Sequence, residues 1–379
     1  MNELIITNAR LVLAGEVVKG HLVVRDDHIV ALGQGPSRLG AALDLDGDYL
    51  LPGLIDLHTD NLEHHVTPRP KVPLPLRGAL LAHDAEVVAA GITTVFDAIA
   101  VGDPYDEGFR TRDQSMLLGW LDRFEAAGVL RADHRIHARC ELPAANARAL
   151  FEPLAHHPRL GLVSLMDHTP GQRQWSDPAH ARLYYTGKKG WSAARFDAEV
   201  QHAPQRQTEH AGPNRHWFAE QARARGVALA THDDTTPAHV DEAAALGVTL
   251  SEFPTTLEAA RQAHRRGLLN ILGAPNMVRG GSHSGNVAAL TLAGEGLLDI
   301  LASDYVPASL LAGAWRLERE TGYTLAEAVR VASLRPAEAL GLSDRGQLLP
   351  GLRADLVRVR VLDEHPVVRE VWVRGRRVH

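Results

Sequence analysis

The chain has 379 residues, 45% of them apolar, a formal net charge of −6 and a single cysteine, Cys140. That length and apolar content suit a (β/α) barrel of ~250 residues with a small appendage, while the acidic balance argues against bulk attraction to nucleic acid or an anionic membrane. One cysteine excludes a disulfide framework and a thiolate zinc site, as expected of a cytoplasmic protein, and no stretch approaches the ~20 apolar residues of a membrane span.

In chain order, the first fifty residues read as short apolar runs, at Leu4 to Ile6, Arg10 to Leu13, His21 to Val24 and Ile29 to Leu32, punctuated by Gly and Asp turns. The chain's end repeats the style at Asp355 to Val359, Val367 to Val368 and Val371 to Val373. Neither piece has enough strands to stand alone, so residues 1–52 and 345–379 are expected to pair into one composite β-sandwich. Residues 53–344 alternate strand and helix. Eight apolar runs follow a Gly or polar break: Leu54 to His58, Ile92 to Asp97, Arg135 to Leu142, Leu162 to His168, Val227 to His232, Val248 to Phe253, Leu268 to Ala274 and Leu297 to Asp304. Eight βα units specify a parallel (β/α)8 barrel of the α/β class, whose ligands and catalytic groups sit at the C-terminal strand ends. Residues 172–225 are too long for one connection and are expected to form an insertion over the barrel mouth.

With 21 histidines in the chain, position has to select the functional ones. The first run delivers His58 and Asp60 two residues apart, on one side of a strand. The third run ends near Glu141, the fourth in His168, the fifth in His232, followed by Asp233 and Asp234, and the eighth in Asp304. Imidazole and carboxylate together suit a borderline divalent ion, and this set exceeds what one tetrahedral site with an open position uses. Two ions are therefore expected, zinc, manganese or magnesium. In many enzymes of this architecture a carboxylated lysine bridges such a pair. Here the lysines are Lys19, Lys71, Lys188 and Lys189, none at a barrel strand end, so Glu141 is expected to bridge and Asp304 to accept the proton of the attacking water.

Cationic and polar groups gather around the expected mouth. Arg69 and Lys71 lie in the Pro-rich stretch after the first run, and Arg173 follows His168. Arg279, Ser282 and His283 lie in the glycine-rich segment after the seventh run, where this barrel class usually holds phosphate. With His83 they form the expected substrate-binding set.

LPGLIDLHTDNLE, TPRPKV, HDAEVVAAGITTV, ARCELP, LVSLMDHTPGQRQ, ATHDD, SEFPTT, GAPNMVRGGSHSGNVAA and LLDILASDYVPASLL, as they stand here, resemble the amidohydrolase superfamily, and within it the triphosphate diphosphatases of phosphonate catabolism. The resemblance implies the barrel with a terminal β-domain. It also implies metal-dependent release of pyrophosphate from a 5-triphosphorylated ribose phosphonate, a homo-oligomer, and other phosphonate-pathway proteins as partners. Two departures stand out. The first strand carries His58-x-Asp60 where the superfamily commonly has His-x-His, and Glu141, His168 and His232 fall one strand earlier than in many relatives. That count makes Glu252, at the end of the sixth run, a reserve ligand. The alternatives are a cyclic amidase or deaminase using the same metal site, and a metal-free scaffold.

Overall fold

The computed structural model describes residues 3–69, 72–104, 114–175, 178–188, 190–282 and 285–379. Strands β1 (Glu3–Val12), β2 (Val17–Arg25), β3 (His28–Gln34), β4 (Leu43–Asp44) and β5 (Tyr49–Pro52) open the chain. They join the strands of the chain's end in one connected sheet, ordered from the C-terminal hairpin through β5 and β1 to β3, with β4 beside β1. Ile6, Leu11, Leu22, Ile29, Leu50, Leu356 and Trp372 form its core. Passage from this sheet into the barrel runs through Gly53. A Cβ there would lie 2.1 Å from Thr93 Oγ1 and 2.9 Å from the Asp355 Cβ, so only glycine lets the two units approach this closely.

The barrel strands are β6 (Leu54–Thr59), β7 (Ile92–Val101), β8 (Asp133–Glu141), β9 (Leu160–Met166), β10 (Ala228–His232), β11 (Leu250–Glu252), β12 (Leu269–Gly273) and β13 (Ile300–Ala302). They pair in parallel in sequence order, and each coincides with one of the eight runs. β6 and β7 are buried along their whole length, as a parallel sheet covered on both faces requires. The ring closes where the Asp304 N–H donates to His58 O at 2.9 Å and the Asp60 N–H donates to Asp304 O at 2.7 Å. Strands β14 (Leu356–Leu362), β15 (His365–Val373) and β16 (Arg376–Arg377) return to the terminal sheet.

Within 172–225, Trp175, Tyr185, Trp191 and Phe196 make a small aromatic core of their own. The helix Gly212–Arg225 ending that stretch packs Phe218, Ala219 and Ala222 with Phe151 into the main outer core, and so serves as the crossover between β9 and β10. Among the described residues, no helix is long and apolar enough to cross a membrane.

Helices α1 (Asn61–Val66) and α2 (Leu76–Ala89) follow β6. Between α2 and strands β7 and β8 lies a buried polar chain. His83 donates to Asp97 Oδ1 at 2.7 Å, while His134 donates from Nδ1 to Asp97 Oδ2 at 2.8 Å and from Nε2 to Asp84 Oδ1 at 3.3 Å. His83, expected among the substrate-binding residues, is 0% exposed here: the structure places it outside the barrel wall rather than at the mouth. Burial opposes charge on His134, but Asp97 and Asp84 outweigh it and push its pKa up to about 10. Burial would raise both aspartates, yet His134 holds them below the usual carboxylate range.

The signs give this cluster a pH window. The His134 contribution is complete below its unfolded pKa of ~6.5 and fades as pH rises toward 10, whereas the carboxylate contribution is present above ~3.9 and fades as pH falls. Its greatest worth therefore lies between about pH 4 and 6.5. His134→Gln leaves two buried carboxylates short of a counter-charge, so it should cost ~3–5 kcal/mol at pH 6 and progressively less toward pH 10. Urea unfolding at pH 6, 8 and 10 reads this, and an unchanged midpoint at pH 6 would contradict it.

Candidate functional site

The barrel-closing hydrogen bonds set the first donor group side by side. A register shift in β6 between Asp56 and Thr59 lets His58 face the mouth, and Asp60 stands at the N-cap position of α1 without capping the helix through its side chain. Donor atoms of His58, Asp60 and Asp304 all lie within 4.8 Å of one another. Below them Asp56 stitches β6 to the eighth strand, accepting from the Ser303 N–H at 2.9 Å, Ser303 Oγ at 2.5 Å and the His58 N–H at 3.3 Å. Burial pushes Asp56 up to about 6, against these hydrogen bonds.

His168, His232 and Asp233 form a second group of the same compactness. Three non-glycine residues that follow strand ends, Asp233, Phe253 and Asp304, have left-handed backbone, with φ of 56°, 54° and 55°. Each such residue costs ~1 kcal/mol or more. At Asp233 and Asp304 this kink turns the carboxylate toward the mouth, which simple strand alternation would not do.

Carboxylates behind the imidazoles decide where the ring nitrogens point. Glu252, fully buried, accepts from His58 Nδ1–H on one oxygen and His232 Nδ1–H on the other, both at 2.7 Å. Glu141 accepts from the His168 N–H at 2.9 Å and His168 Nδ1–H at 2.6 Å. Each imidazole is thereby fixed with Nε2 toward the mouth, the orientation a metal ligand needs. His58 Nε2 and Asp233 Oδ2 are buried and make no hydrogen bond among the described residues. Two such orphans facing imidazole and carboxylate fit a divalent cation of the zinc or manganese type.

The carboxylates behind the imidazoles also set the charges of the group. Burial disfavours charge on His58, but Glu252 outweighs it and pushes the pKa up to about 10. Burial likewise opposes and Glu141 raises His168. Glu252 lies well below its usual range, its burial outweighed by His58 and His137. His137, beneath His58, is pulled down to about 3 by burial and donates from Nδ1 to Leu57 O at 3.0 Å. Asp304 is pushed up to about 6 by burial and by the charge of Asp60.

Of the six expected ligands, His58, Asp60, His168, His232 and Asp304 converge. Glu141 stands behind His168 with both oxygens engaged, so it does not lie between the two groups as a bridge. Glu252, the reserve ligand, orients two histidines. Arg173 is buried and donates to His232 O at 3.2 Å and to the Asp234 carboxylate, bracing the fifth strand from behind. Arg69 is exposed in a short bridge with Val72, Arg279 is the exposed last residue of the helix Ala274–Arg279, and Ser282 is half-buried. Lys71 and His283 lie outside the described residues. Sequence reasoning passed over Arg139 and His137. Their signal was the alternation His137-x-Arg139-x-Glu141, polar at every inward position of β8.

A family model described as the amidohydrolase family matches residues 218–379. Alpha-D-ribose 1-methylphosphonate 5-triphosphate diphosphatase of Escherichia coli (strain K12) is 48% identical over 381 residues, 99% of this chain and 100% of that protein. An adenine deaminase of Desulfatibacillum aliphaticivorans is 25% identical over 99% of this chain and 58% of its own length. Among solved structures, a Xaa-Pro dipeptidase with bound methionine superposes with a TM-score of 0.68 at 14% identity over 99% of each chain. N-isopropylammelide isopropylaminohydrolase of Burkholderia multivorans does so with 0.65 at 18% identity, covering 100% of this chain and 98% of that one. At such identities the likeness is one of fold. The near full-length match at 48% identity carries more, and by it the chain belongs to the amidohydrolase family.

Proposed function

We propose that the protein hydrolyses the α–β phosphoanhydride of α-D-ribose 1-methylphosphonate 5-triphosphate, releasing pyrophosphate and the 5-phosphate, in cytoplasmic phosphonate catabolism. The observation that carries this reading is the 48% identity to the Escherichia coli diphosphatase across the full length of both chains, with the ligand geometry above present. His168, His232 and Asp233 would hold one divalent ion, and His58, Asp60 and Asp304 are the donors for a second. Bound there, such an ion supplies Lewis-acid polarisation of phosphoryl oxygens and acidifies the attacking water.

The remaining steps belong to the protein's own groups. Asp304, ionised at neutral pH yet more basic than an ordinary carboxylate, accepts the proton of the attacking water and can return it to a leaving oxygen. Glu252 and Glu141 are positioning residues, acting through the histidines they orient. Arg69, Lys71, Arg279, Ser282 and His283 are the candidates for shielding the polyphosphate, whose negative charge makes electrostatic stabilisation the largest catalytic contribution.

Phosphorus NMR of the products tests the assignment. Pyrophosphate and a ribosyl 5-phosphate are expected from the triphosphate. Inorganic phosphate as the sole first product would move cleavage to the terminal anhydride. Inert triphosphate with ammonia released from adenine would favour the deaminase reading that the 25% identity to an adenine deaminase suggests.

A further inference from the structure

The mouth of the barrel already contains a fixed cation. Arg139 occupies an inward position of β8, its side chain only 9% exposed, and its Nη1 donates to Asp60 Oδ1 at 2.7 Å. That same carboxylate oxygen stands 3.6 Å from His58 Nε2, so the His58–Asp60–Asp304 group shares one of its donor atoms with a guanidinium. A guanidinium does not lose its proton at any working pH, so this charge cannot be shed when an ion arrives. The other group is built differently. Among the described residues the ion pairs of Asp233 are with His168 and His232, and its Oδ2 is buried without a hydrogen bond.

We propose that the two donor groups load unequally. The first divalent ion enters the His168–His232–Asp233 group, while Arg139 neutralises Asp60 in place of a second ion, and any second ion binds at the His58–Asp60–Asp304 group far more weakly. The inference rests on the metal-dependent reading above. The fixed guanidinium repels an incoming dication and also takes up the charge of Asp60 that would otherwise attract it, which together weaken binding by on the order of 10²-fold or more. Asp60 is thus a shared residue, holding Arg139 in place as well as facing the ion site.

The test is a binding titration without substrate, so its outcome is independent of which bond the enzyme cleaves. Chelator-stripped protein is titrated with Mn(II), following free ion by electron paramagnetic resonance and bound ion by elemental analysis after gel filtration. Wild type should bind one ion tightly and a second at least ~10²-fold more weakly. Arg139→Met should bring the two dissociation constants within about tenfold of each other, while Arg139→Lys, which keeps the charge, should preserve the gap. Two equally tight ions in wild type, or a gap unchanged in Arg139→Met, would overturn the proposal. Should Arg139→Met not fold, Asp60→Asn decides: it should leave the tight ion within about threefold of wild type, and loss of that ion would place it in the wrong group.

Discussion

Asp304→Asn is expected to lower turnover by ~10²–10⁴, the range of a lost general base, with the tightly bound ion retained. The side chain keeps its shape, and the backbone hydrogen bonds through which residue 304 closes the barrel involve only its N–H and carbonyl, so the fold has no reason to change. What disappears is the proton acceptor. Burial and the charge of Asp60 push its pKa up to about 6 in the protein without a bound cation. A cation nearby favours the ionised form, so the acid limb of kcat/KM in wild type should fall at or below pH 6. Activity is lost as pH drops through that value because the base must be ionised to act. In the asparagine variant that limb should vanish along with the rate. Pyrophosphate release across pH 4.5–8, with metal content measured on the same samples, separates this from loss of the ion. Wild-type turnover in Asp304→Asn would remove the residue from the reaction.

The barrel was legible because its eight strands are short, largely buried runs set off by Gly or polar breaks, and the five converging ligands were legible because each closes such a run or follows it within two residues. What escaped has a physical pattern. Asp233 points at the site only because its backbone is left-handed, and period-two alternation cannot foresee that turn. Glu141 lies on an inward position as expected. Its oxygens, however, are captured by the chain turning past β9, where both the main-chain N–H and the ring of His168 reach back to it. His83 sits with Asp84 in the buried stripe Leu76, Ala79, Leu80, Val87 and Val88 of α2, a 3–4 spacing that the sequence reading did not use. Its partner Asp97 was the better signal, a carboxylate in the fully buried strand Ile92–Val101, which must be paired to be there at all.

Glu252→Gln is expected to weaken binding of the tight ion by ~10–100-fold, although residue 252 stands behind the ligands. Glutamate offers two acceptor oxygens, one for each Nδ1–H of His58 and His232. Glutamine keeps the volume but offers one acceptor and one donor. Only one imidazole can then donate. The other must present a bare Nδ1 to the amide and carry its proton on Nε2, so the tight ion loses a ligand when that ring is His232 and the weaker group loses one when it is His58. Charge acts in the same direction. In the weaker group Glu252 holds His58 protonated up to about pH 10 without a cation, so at neutral pH an ion bound there to His58 Nε2 must displace a proton. Yet a carboxylate attracts a dipositive ion about twice as strongly as a proton at like distance, and its removal remains a net loss for the ion. The two effects have separate signatures. Ring nitrogen shifts of His58 and His232 report the tautomers, and proton release on loading the weaker His58–Asp60–Asp304 group should fall by about one per chain in Glu252→Gln. Equal ion affinity and equal proton release in the two proteins would mean that the hydrogen bonds from Glu252 do not set the ligands.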